Sequence, residues 1–148
     1  MSKAFGLAGV RVGFGVARQK VIDVIEKIKP PFNINAVGLV ASVTALEDKS
    51  YREATIKAIK DERKRVFSEL QKIDGIKVYQ SDANFLFMNV KYDGFNSENV
   101  FVELLKKGIL VRNCSSFEMC EDKFLRVTIG TPEQNTLFLD SLKEILKD

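Results

Sequence analysis

The chain has 148 residues, 45% of them hydrophobic and 29% charged, with a formal net charge of +3. That length suits one ordinary domain with a real core, and so small a charge argues against nucleic acid or an anionic membrane as partner. There is no histidine, hence no imidazole base or imidazole metal ligand, and Cys114 and Cys120, six positions apart, do not have a zinc spacing.

No apolar run approaches the roughly 18 residues needed to span a bilayer. The first residues lack the basic region and apolar block of a signal peptide. These features predict a cytoplasmic protein, bound to no metal, with a reduced cysteine pair.

In chain order, AGVRVGFGVA (8–17) alternates like a strand loosened by glycine. Residues 18–29 carry Val21, Ile22, Ile25 and Ile28 at helical spacing, and Pro30-Pro31 ends that helix. PFNIN is a loop, and AVGLVASVTALED is an apolar helix expected to be buried on most sides. Residues 49–73 form a long helix with Tyr51, Ile56, Ile59, Val66, Phe67, Leu70 and Ile73 as its stripe, closed by Asp74-Gly75. IKVY and NFLFMNV read as strands. Residues 96–107 read as a helix with Val100, Leu104 and Leu105 inward and Gly108 as its stop. ILVR and FLRVTIG are two more strands. Thr131-Pro-Glu-Gln starts the last helix, with a cap, a proline at the first helical position and Gln134 closing a capping box. That helix carries Leu137, Phe138, Leu142, Ile145 and Leu146.

From residue 76 the order is strand, strand, helix, strand, strand, helix. This predicts an α+β (α/β) unit with helices on one face of a small sheet. The expected divisions are 1–30, a long helical connection over 31–75, and a small C-terminal domain over 76–148.

The opening MSKAFGLAGVRVGFGVA admits several readings. One is an edge strand with a solvated lysine. Another is a phosphate cradle, with Gly6, Gly9, Gly13 and Gly15 letting the backbone approach an anion and Arg11 holding it. Neither GxxxxGK[ST] nor a GxGxxG between strand and helix is present, so a nucleotide site is not indicated.

A third reading takes in more residues at once. S-K-A-F-G-L-A-G-V-R-V-G-F resembles the cofactor-lysine segment of the fold type I pyridoxal-phosphate aminotransferases. PPFNINAVGLVASVTAL, DANFLFMNV, GILVRNCSSF and FLRVTIGTPEQN resemble segments of the histidinol-phosphate branch, in that family's order. The threonine-phosphate decarboxylases share much of this pattern. The resemblance implies pyridoxal 5'-phosphate as cofactor, bound through Ser2, Lys3 and Arg11. Lys3 would form the Schiff base and move protons, and Arg11 would anchor the phosphate. The chemistry suits these types: an attacking lysine must be neutral, which burial or a nearby cation favours, and arginine is the better bidentate phosphate donor.

The resemblance further implies Arg126, Arg112 and Asn84 as substrate-binding residues. In FLRVTIG, Arg126 shares a face with Phe124 and Thr128, opposite Leu125, Val127 and Ile129. Without the family, Arg126 reads as a solvent-side charge, Arg112 as a strand-end charge and Asn84 as a turn residue. Met88, Met119, both cysteines and the DERKR run at 61–65 read as packing or surface.

The implied reaction is transamination between histidinol phosphate and 2-oxoglutarate in histidine biosynthesis, by a homodimer. The family carries a larger cofactor domain ahead of the lysine, with the acid that pairs with the cofactor's ring nitrogen. The expectation is therefore a C-terminal part with negligible turnover by itself, in which a former interface shows as an apolar patch. Two other readings are a non-catalytic folded fragment and a small phosphate-binding domain without lysine chemistry.

Overall fold

A computed structural model describes residues 1–91 and 94–146. The chain divides into two compact units, Met1–Ile56 and Lys57–Asp148. Described helices and strands are α1 (Gln19–Ile28), α2 (Ala36–Glu47), α3 (Lys49–Leu70), β1 (Ile76–Tyr79), β2 (Phe85–Val90), α4 (Ser97–Lys106), β3 (Arg112–Asn113), β4 (Phe124–Thr128) and α5 (Pro132–Leu146). The class is α+β, as the order of apolar patterns predicts. The unit boundary falls inside α3.

In the first unit, α2 follows an Asn35 cap whose side chain accepts from the Gly38 amide at 2.6 Å. Two expectations fail in this unit. Residues 8–17 form turns and irregular backbone rather than a strand. Arg11 lies in the left-handed region at φ 56°, and one such residue breaks the pleat of an extended segment. The second failure is the burial of α2: only Gly38 and Ser42 are buried, while Val37, Leu39, Val40, Val43 and Leu46 are exposed. A unit of this length has too little chain to wrap an apolar helix on every side.

The second unit holds the core. Its sheet is antiparallel in the order β1-β2-β4-β3. Strand alternation sends Leu86, Met88 and Val90 of β2 and Leu125 and Val127 of β4 to one face, which is buried. Val66 and Leu70 of α3, Val100 and Leu104 of α4, and Phe138, Leu139, Leu142 and Leu146 of α5 complete the cluster. The opposite sheet face carries aromatics: Phe87 and Phe124 stack with centroids 4.8 Å apart, and Tyr79 lies 5.9 Å from Phe87.

Helix ends explain several element boundaries. α5 opens on the expected capping box: the Thr131 amide donates to Gln134 Oε1 at 3.0 Å, and the Gln134 amide donates to Thr131 Oγ1 at 3.3 Å. α4 closes at Gly108, φ 77°, and the Ile109 amide turns back to the Leu104 carbonyl at 2.9 Å. That bond takes a donor that a strand over 109–112 needs, so β3 starts only at Arg112. Leu105, expected inward, is about half exposed, as is Leu137 of the last helix. Each directly neighbours a buried helix residue, Leu104 or Phe138, and a turn of about 100° per residue carries it off the buried face.

Candidate active site

The lysine segment is a loop in the first unit. The Lys3 carbonyl accepts from the Gly6 amide at 2.9 Å, closing a turn around the lysine, whose side chain is exposed. Ser2 is partly buried beside it. Arg11 Nη1 donates to the Ala8 carbonyl at 2.7 Å. Its left-handed backbone is strained for a residue with a Cβ, and strain of that kind gathers at binding sites. Asn35 braces the loop: its Nδ2 donates to the Val10 carbonyl at 3.0 Å while its Oδ1 caps α2. Gly38 lets Val12 approach, because a Cβ there would stand 2.5 Å from Val12 Cγ2.

The arginine pair is in the second unit. Arg112 and Arg126 are cross-strand partners on β3 and β4, so both side chains rise from the aromatic face of the sheet. They line one open hollow with Phe101, Leu110, Val111, Asn113 and Thr128. Arg126 Cζ lies 5.1 Å from the Phe85 ring centroid, and Arg112 Cζ lies 5.4 Å from that of Phe117. Arg126 Nε is buried without a hydrogen-bond partner among the described residues. Asn84 contributes its carbonyl, which accepts from the Ile129 amide at 2.9 Å and ties the start of β2 to the end of β4.

Two residues after Arg112, Cys114 is buried, and its Sγ donates to the Arg112 carbonyl at 3.6 Å. Burial pushes the Cys114 thiol up, helped by the neighbouring Cys120 sulfur and opposed by the Arg126 and Arg112 charges. A thiol held in that direction is a packing group rather than a nucleophile. Among the described residues there is no group of three or more His, Cys, Asp or Glu placed to hold a metal. No described helix is long and apolar enough to cross a membrane.

A sequence profile of the family "Aminotransferase class I and II" matches residues 1–142. The chain belongs to that family. It is 41% identical over 146 residues to a histidinol-phosphate aminotransferase of Methanococcus maripaludis strain C5, covering 99% of this chain and 39% of the relative. Its fold matches the crystal structure of the histidinol-phosphate aminotransferase from Clostridium acetobutylicum with a TM-score of 0.92 and 35% identity, over 99% of this chain and 44% of that one. The L-threonine-O-3-phosphate decarboxylase from Porphyromonas gingivalis shares the fold, with a TM-score of 0.84 at 23% identity, over 99% of this chain and 45% of that one. The chain thus spans about two fifths of the length of the curated relatives it matches.

Three residues, one at the lysine loop and two at the arginine pair, escaped the sequence reading. Phe85 and Phe117 carry the guanidinium groups, and Asn35 braces the lysine loop. Phe85 stands diagonal to Arg126 across the β2–β4 ladder, a relation the strand register alone reveals. Phe117 and Asn35 act through loop geometry that leaves no periodic trace.

Proposed function

We propose that this chain carries the cofactor-lysine segment and the small domain of a pyridoxal-phosphate-dependent aminotransferase acting on histidinol phosphate and 2-oxoglutarate. The observation that carries the reading is the pairing of Arg112 and Arg126 as neighbouring cations without carboxylate partners among the described residues. Two permanent positive charges on one small face suit a substrate with phosphate or carboxylate groups.

The donors of the lysine loop fit pyridoxal phosphate in kind. Lys3 offers an amine for an aldehyde, and Arg11 a guanidinium for a phosphate. At Gly9, Gly13 and Gly15 nothing stands within 4 Å of where a Cβ would be, which leaves room for a ligand at the backbone. When bound, the cofactor supplies the electron sink that makes the substrate's α-proton removable. Lys3 then holds and moves that proton at Nζ. Arg11 fixes the phosphate end, and Ser2 adds a hydroxyl beside the lysine. Arg126 grips a carboxylate, Arg112 the substrate phosphate, and Asn84 lines the substrate side.

Residues 1–30 are then the end of the cofactor domain, 31–75 a helical connection and 76–148 the small domain, of which 92, 93, 147 and 148 lie outside the described residues. The exposed apolar side of α2 supports further protein packing there in the working cytoplasmic enzyme, a homodimer on this reading. The histidinol-phosphate branch is favoured over the decarboxylase branch by the curated relatives, among which a histidinol-phosphate aminotransferase is 41% identical over 99% of this chain.

Binding tests the assignment. Titration with histidinol phosphate and with O-phosphothreonine should give tighter binding of the first, weakened in Arg112→Gln. Equal binding of both, untouched by that substitution, removes the substrate assignment.

A further inference from the structure

Like charges placed directly opposite one another on a sheet repel. Arg112 and Arg126 are such a pair, and among the described residues neither guanidinium has a carboxylate beside it. Each rests on an aromatic ring. Phe85, under Arg126, comes from β2, the strand on the inner side of β4. Phe117, under Arg112, comes from the loop after the edge strand β3. That loop is shaped by two successive turns: the Phe117 amide donates to the Cys114 carbonyl at 2.9 Å, and the Cys120 amide to the Phe117 carbonyl at 3.1 Å.

A ring and a carboxylate hold an arginine differently. A carboxylate occupies the N–H groups and cancels the charge. A ring face attracts the cation and fixes the guanidinium plane, yet takes none of its in-plane donors. An Arg126 Nε with no hydrogen-bond partner among the described residues is what such a support leaves behind.

We infer that Phe85 and Phe117 are positioning residues for the arginine pair: each ring holds one guanidinium against its neighbour's repulsion and keeps its hydrogen-bond donors free for an anion. The inference rests on the reading of the pair as an anion site. It explains why a half-exposed phenylalanine stands on a surface loop, where it adds nothing to the core.

The test is a titration of the full chain with inorganic phosphate at constant ionic strength, followed by the arginine Nε–H signals in NMR. Phe117→Leu should weaken phosphate binding by about two- to tenfold, the range of one cation–π contact. Phe117→Tyr, which keeps the ring face, should restore it. Phe85→Leu should weaken binding in the same sense and shift the Arg126 signal most. Thermal midpoints of the Phe117 variants should stay together, because that ring lies outside the core. Phosphate affinity unchanged in Phe117→Leu but lost in Arg112→Gln overturns the inference and leaves the anion site standing. So does a loss in Phe117→Tyr as large as in Phe117→Leu. No phosphate binding by the unmodified chain, or binding indifferent to both Arg112→Gln and Arg126→Gln, overturns the site reading and the inference together.

Discussion

Arg112 and Arg126 are direct cross-strand partners, so two permanent cations share one face of the β3–β4 ladder. An anion that bridges them binds the folded chain and not the unfolded one, and so stabilises it by mass action. Phosphate should raise the urea midpoint of the unmodified chain at constant ionic strength. It should leave Arg112→Gln and Arg126→Gln nearly unmoved. The same variants should show a flatter dependence of stability on salt, because screening relieves a repulsion they no longer contain.

Glu62 joins α3 to α5. Its carboxylate takes Arg65 Nη2 at 2.8 Å and Asn135 Nδ2 at 2.8 Å, and buried Asn135 also receives the Gly130 amide at 2.9 Å. The Arg65 hydrogen bond comes first among the causes that hold the Glu62 carboxyl below the usual glutamate value, with the Asn135 bond and the Arg65 charge adding to it. A lowered folded pKa means stability that is present above the ordinary glutamate pKa and lost as pH falls through the folded one. Glu62→Ala should cost about 2 kcal/mol near neutral pH by leaving Asn135 short of a partner. The variant should lose less than the unmodified chain when denaturant titrations are repeated below about pH 4.5.

Neighbouring leucines on α4 separate core from surface. Leu104 is fully buried and Leu105 is 49% exposed. Leu104→Ala should destabilise by about 2–5 kcal/mol, and Leu105→Ala by less than about 1 kcal/mol. Chemical denaturation of both variants checks the contrast.

Gly38 tests the bracing of the lysine loop. A methyl group there meets Val12 Cγ2 at 2.5 Å and both end atoms of Asn35 at 3.1 Å. Gly38→Ala should push the loop off α2 although alanine favours the helix itself. Hydrogen exchange should quicken at the Gly6 amide, and less so in the second unit.

The fold of the second unit was largely legible in the sequence. Its strands alternate, and its helices carry plain stops and caps, such as Gly108 and the Thr131–Gln134 box. The opening segment misled because glycine-spaced apolar residues mimic alternation, while the left-handed turn at Arg11 is invisible to a period-two pattern. α2 misled for another reason: an apolar helix reports what it can bury, and not what the chain brings to cover it. At the lysine loop, Lys3 and Arg11 could be named from motif resemblance, and so could Arg112 and Arg126 on the sheet. Phe117 could not, because its contact with Arg112 depends on two turns in an irregular loop.

The assignment of Lys3 as the cofactor lysine is tested most directly by adding pyridoxal phosphate to the purified chain, reducing with borohydride and mapping the labelled peptides. The account predicts label concentrated on Lys3, above that on exposed lysines of the helices such as Lys20 and Lys49, and dispersed by Arg11→Ala. Label spread evenly over the surface lysines, with Arg11→Ala making no difference, would contradict it.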